Sequence, residues 1–194
     1  AGVVVQQCAV GLVRVRRENG RRESARGEGG QRLAFEAPPL RRSEPDAALV
    51  AQVLAALGAD RARLRAAQWL DNGPQWLALL FDDAQAVLAL EPDHAALAPL
   101  AKVGAIGAHP AGAECAFEVR AFAAAIGVPE DPVTGSLNAS LAQWLVGAGL
   151  APSQYVAEQG ARLGRAGGVD VAQREGDGWV GGDCATGGEG RVAL

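Results

Sequence analysis

With 194 residues, 49% of them hydrophobic, the chain is long enough to bury a core and is neither disordered nor fibrous. Its formal net charge of −4 offers no general attraction to phosphate backbones, so nucleic acid is not expected as a partner. No apolar run reaches the roughly 18 residues that a membrane span needs, and the opening AGVVVQQCAVG lacks the basic start and cleavage region of a signal peptide.

The three cysteines, Cys8, Cys115 and Cys184, are widely spaced and odd in number. That fits neither a disulfide framework nor a CxxC metal site, and a reducing cytoplasm is the expected location. Methionine is absent throughout, position 1 included, as in a processed or partial chain.

In chain order, residues 3–17 (VVVQQCAVGLVRVRR) are rich in β-branched residues. Val13 and Val15 alternate there with Arg14 and Arg16, the period of a strand with one buried face. The Arg- and Gly-rich stretch 18–31 predicts a long, solvated hairpin loop, and RLAFEAPPL (32–40) a second strand ended by its paired prolines. Ser43 is placed as the cap of a helix carrying Pro45 in its first turn. Leu49, Val50, Val53, Leu54 and Leu57 form its buried stripe and Gly58 its stop.

AQWLDNG and QWLALLF predict strands around a turn at Asn72-Gly73, while DDAQAVLAL and PDHAALAPLA have acidic starts and helical spacing. CAFEVRAF (115–122) is again a strand. Beyond it a helix is expected over 135–146, buried along Leu137, Leu141, Trp144 and Leu145, followed by four short strand-like pieces, YVAEQG, VDVAQR, WVGG and RVAL. The resulting fold class is α+β, many short strands about one central amphipathic helix.

The chemistry concentrates in EDPVTGS (130–136). A buried helix start exposes unpaired N–H groups and a positive dipole end, so it must be capped or given an anion. Thr134 and Ser136 are able to cap, and Gly135 lets a ligand carboxylate approach the backbone. Asp131 beside it could serve as acid, base or orienting group. Asp-Pro before Thr-Gly-Ser is also an ordinary way to begin a helix, and spacing leaves structural capping and catalysis both open. His94 and His109 read as surface residues. The glycine-rich GWVGGDCATGGEG lacks the Lys-Ser/Thr ending of a phosphate loop.

EDPVTGS also resembles the EDPATGSA signature of the PhzF-like phenazine-biosynthesis isomerases, a family with the diaminopimelate-epimerase fold. The likeness extends to VRAF (119–122), NGP (72–74), EQGARLGR (158–165) and WVGG (179–182). It implies domains built as a curved mixed sheet around a central helix, with the active site in the cleft between two of them. Residues 1–41 are then the closing strands of a truncated N-terminal domain and 42–194 a complete C-terminal one.

The resemblance further implies proton transfer between carbons of a small carboxylate-bearing substrate, without metal or organic cofactor. Asp131 and Ser136 carry over as catalytic residues, Thr134 and Gly135 as the carboxylate cradle, and Asn72 and Gly73 as a turn lining the cleft. A homodimer is compatible with the pattern.

Two departures stand out. Asp131-Pro132 occupies the place where related epimerases carry a catalytic cysteine, which argues against a two-cysteine racemase. The family's catalytic glutamate and an active-site histidine belong to N-terminal motifs that this chain does not show. The competing expectation is a truncated, non-catalytic binding protein that exposes the cleft face.

Overall fold

The computed structural model describes residues 2–23, 29–174, 177–184 and 190–191; side chains are described within these ranges except at 18–23, 29–31 and 174. The described residues form one large mixed sheet and four α-helices. The first strands are β1 (Val3–Cys8), β2 (Gly11–Glu23), β3 (Gly29–Glu36) and β4 (Arg41–Ser43). The helix α1 (Ala47–Ala56) leads to β5 (Leu64–Asp71), β6 (Gln75–Phe81), α2 (Ala84–Leu88), α3 (His94–Leu97), β7 (Val103–Ala108), β8 (Phe117–Ala123) and β9 (Val128–Asp131). The helix α4 (Gly135–Gly147) is followed by β10 (Gln154–Gln159), β11 (Gly167–Arg174) and β12 (Asp177–Cys184).

The strands follow the order β1-β2-β3-β12-β11-β10-β8-β7-β6-β5-β4, with β9 paired to β8 alone. All pairings are antiparallel except β6 with β7 and β8 with β10. Those two parallel pairs require crossovers, and the crossovers carry α2, α3 and α4, whereas α1 lies in the β4–β5 connection. The β6–β7 connection holds α2 and α3, and the β8–β10 connection holds β9 and α4.

Strand alternation then sorts the side chains onto two faces. On one face Trp76, Ala78, Ile106, Phe117, Val119, Ala121, Ala157, Val169 and Val171 enclose Leu137, Leu141 and Leu145 of α4, all three leucines fully buried. On the other, Leu77, Leu79, Phe81, Val103, Ala105 and Phe122 pack under α1, α2 and α3. Burying a leucine side chain contributes roughly 1.5–3 kcal/mol, so the α4 stripe alone is a large part of what holds the sheet in its curve. The close approach of α4 depends on Gly104: a Cβ there would stand 2.3 Å from Leu137 Cδ1.

Several expected elements are redrawn. Residues 3–17 are two strands, because Ala9 and Val10 turn and Gly11, at φ +114°, reverses the chain as only glycine does readily. The polar stretch 18–31 is mostly ladder, β2 running to Glu23 and β3 resuming at Gly29. The arginines around it are engaged: Arg14 bridges Glu36 and Asp177, Arg16 stacks 4.0 Å from the Trp179 ring, and Arg32 is buried against Asp170. Arg14 holds the Glu36 carboxyl below its ordinary range.

Ser43 ends β4, and the cap of α1 is Asp46, whose carboxylate accepts from the Ala48 and Leu49 N–H groups. The strands β4, β7 and β9 carry too little apolar alternation to have been expected; β7, VGAIGA, is diluted by glycine. RVAL lies almost wholly outside the described residues, and the glycine-rich loop partly so. Cys8, Cys115 and Cys184 form no disulfide, and no helix of the described residues is long and apolar enough to cross a membrane.

Candidate functional site

The short β9 delivers Asp131 to the threshold of α4, and Pro132 and Val133 turn the chain into the helix. Thr134 occupies the N-cap position with extended backbone but makes no side-chain cap. Its hydroxyl instead donates to Asp131 Oδ2 at 2.7 Å. The first intrahelical bond runs from the Asn138 N–H to the Thr134 carbonyl, so Gly135, Ser136 and Leu137 keep the unpaired N–H groups of a first helical turn.

Beneath this tip lies a fully buried amide network centred on Gln159 of β10, which is 0% exposed. Gln159 Oε1 accepts from the Thr134 N–H at 3.1 Å and from Asn138 Nδ2 at 2.8 Å. Its Nε2 donates to the Asp131 carbonyl at 2.8 Å and to Thr134 Oγ1 at 3.0 Å. One glutamine thus fixes Asp131, Thr134 and the first turn of α4 together. It was not singled out from sequence, although it stands inside EQGARLGR.

The other flank is built by the β5–β6 turn. Asn72 is buried and donates from Nδ2 to the Ser136 carbonyl at 3.1 Å, and Trp76 Nε1 donates to Ser136 Oγ at 3.2 Å. Asn72 Oδ1 is buried with no hydrogen-bond partner. A cavity of about 310 Å³ opens here, lined by Asn72, Ser136, Phe35, Pro38, Pro74 and the β1–β2 hairpin residues Cys8, Ala9, Val10 and Val13. The wall is apolar apart from a few polar groups, the usual make-up of a small-molecule site.

Of the six residues expected from sequence, the structure brings Asn72 and Ser136 together on the cavity and Asp131 and Thr134 together beside it. Gly135 bridges the two pairs, facing Phe35, where an added Cβ would stand 3.2 Å from the ring. Asp131 itself is half-buried and is not part of the cavity wall. Gly73 sits on the exposed turn at φ +125°, against Val10 of the hairpin.

The turn is set electrostatically by Asp71. Its carboxylate accepts from the Gly73 N–H at 3.0 Å and pairs with Arg41, and these partners lower its pKa, the Gly73 bond most. A depressed carboxyl contributes stability that is fully present above its unfolded value near 3.9 and lost as pH falls through the lower folded value. Melting curves below pH 5 are therefore expected to show a steeper acid loss for the wild type than for Asp71→Asn. Parallel acid limbs would mean that the carboxylate does not hold the turn.

The chain belongs to the PhzC-PhzF family of phenazine biosynthesis-like proteins, whose family model matches residues 1–184. Solved structures of similar fold include a PhzF-family phenazine biosynthesis protein from Bacillus anthracis, with TM-score 0.73 and 12% identity over 93% of this chain and 64% of that one. A predicted epimerase from Pseudomonas aeruginosa gives TM-score 0.71 and 23% identity over 94% of this chain and 63% of that one. A PhzF-family protein from Enterococcus faecalis gives 0.66 and 20% over 99% and 65%. The chain therefore spans just under two thirds of the length of these relatives. A comparison with curated proteins finds no significant match.

Proposed function

We propose that the chain is the larger part of an isomerase or epimerase that moves a proton between carbon atoms of a small carboxylate-bearing substrate. The observation that carries this reading is the uncapped start of α4 beside the cavity. Thr134 spends its hydroxyl on Asp131, so the N–H groups of Gly135, Ser136 and Leu137 and the positive end of the helix are left for an anion.

In this reading Asp131 and Ser136 act at the reacting carbon, the helix start at Gly135 cradles the carboxylate while Thr134, engaged by Gln159 and Asp131, holds that start in place, and Asn72 and Gly73 form the facing wall. Residues 1–41 close a first domain and 42–194 make the second. The portion by which the relatives are longer supplies the opposite wall and the general base, a group whose loss typically costs about 10²–10⁴-fold in rate. Asn72 Oδ1 supplies an acceptor for a substrate N–H or O–H.

The test is an NMR titration of the chain with small cyclic carboxylic acids. The Gly135, Ser136 and Leu137 amides are expected to shift, and Asp131→Asn and Ser136→Ala are each expected to weaken binding at least tenfold. Asn at 131 keeps an acceptor for Thr134, so that variant separates charge from fold. Shifts confined to other amides, or affinities unchanged in both variants, would overturn the assignment.

A further inference from the structure

On the face of the sheet turned away from α4, three residues of three different segments converge. Glu118 lies near the start of β8, in register with Glu158 of parallel β10 on one side and with Gly107 of β7 on the other. His109 follows β7 directly and comes back over the same spot. One ligand atom each of His109, Glu118 and Glu158 falls within 4.8 Å of the others.

Two observations make this more than a cluster of acids. Glu118 is 1% exposed, yet its Oε1 has no hydrogen-bond partner, and the buried Nε2 of His109 has none either. The nearest cation does not resolve the charge. Arg120, two residues along the same face, donates Nε and Nη2 to the Glu130 carboxylate at 2.9 and 2.8 Å. Its Nη1 donates to the Val87 and Leu90 carbonyls at the end of α2.

Glu118 and Glu158 thus stand as directly paired like charges in a sheet, an arrangement that is destabilising unless something positive lies between them. Burial, with Glu158 next, pushes the Glu118 carboxyl up to about 7. Such a carboxyl is held in the fold at a cost that a proton or a cation relieves.

We propose that His109, Glu118 and Glu158 bind a first-row divalent cation. His109 Nε2 and Glu118 Oε2 are 3.4 Å apart, about the separation of two ligands on a tetrahedral ion with bonds near 2.1 Å. Glu158 closes the set by a side-chain torsion from a half-buried position, and His109, 17% exposed, leaves a way in from solvent. One imidazole with two carboxylates suits Mn(II), Fe(II) or Zn(II) rather than a soft thiophilic ion. Bound there, the ion would tie β7, β8 and β10 together. Its neighbour Glu130 precedes Asp131, but the site is separate from the α4 tip, and the proposal does not depend on the function assigned to that tip.

The test is titration of the chelator-stripped full chain with Mn(II), which thiols hold poorly, the unbound ion being read from its EPR signal. About one equivalent is expected to bind and to be displaced by Zn(II), and Glu118→Gln and His109→Ala are each expected to lower affinity at least tenfold. Glu118→Gln replaces a buried charge with an isosteric neutral group and should fold; its circular dichroism melt checks this. Failure of wild type to bind either ion at millimolar concentration, or binding that both folded variants retain undiminished, would overturn the site.

Discussion

Replacing Gln159 with leucine is expected to cost about 3–5 kcal/mol, because it leaves the buried Thr134 N–H and a buried Asn138 donor short of their acceptor at about 1–3 kcal/mol each. The Asp131 carbonyl and Thr134 hydroxyl also lose a donor. For a chain of this length, that loss corresponds to a fall of roughly 6–20 °C in melting temperature. Leucine nearly conserves the volume, so the effect isolates hydrogen bonding from cavity formation. Gln173→Ala, on an exposed β11 position, should change stability by less than about 0.5 kcal/mol. A Gln159→Leu melt within a degree of wild type would mean that the network is not what fixes the α4 tip. A second readout, the dispersion of the Thr134 and Gly135 amide resonances, should collapse in the same variant.

The second large effect is expected at Gly107. A Cβ there would stand 2.1 Å from the Asp83 carbonyl oxygen and 2.5 Å from its carbon, both backbone atoms that cannot swing aside. The contact places the start of α2, capped by Asp83, directly on β7. Gly107→Ala must lift that helix end, and overpacking of this kind costs typically about 1–3 kcal/mol, and more where backbone blocks backbone. We expect a loss near the top of that range by urea unfolding. Gly147→Ala is the contrast: at the exposed end of α4 nothing lies within 4 Å of the added methyl, and alanine should be neutral or stabilise by up to about 1 kcal/mol. If the two variants unfold at the same urea concentration, the contact at Gly107 has no energetic weight.

These two positions also mark what the sequence could and could not say. The α4 stripe of Leu137, Leu141, Trp144 and Leu145 was legible because helical spacing survives in a helix buried nearly all round. The Asn72-Gly73 turn was legible because Asn-Gly between apolar runs has few other uses. The strand β7 was not, because its glycines serve close packing against Leu137 and Asp83, a purpose visible only once the partners are in place. The first hairpin was hidden for a related reason: all six residues of β1 are exposed, so no buried face imposes a period on them.

At the candidate site, EDPVTGS pointed to the α4 tip but not to what holds it. Gln159 looks in the sequence like any polar residue before a glycine. Its importance comes from the parallel β8–β10 pairing, which sets it opposite Val119 and under Thr134. His109 misled in the opposite direction: a histidine before proline reads as surface, whereas the β7–β8 ladder folds it back over Glu118.

The sheet order carries one more consequence, for how the chain comes to be folded. Among the described residues the β1–β3 ribbon pairs with the rest of the sheet through β12, where Glu36 meets Trp179. During synthesis these strands therefore leave the ribosome well before β12, the partner that satisfies their open edge. Val3, Val4 and Val5 stay more than half exposed even afterwards. Until β12 is made, the ribbon presents an unpaired strand edge together with exposed valines, a combination that invites off-pathway pairing.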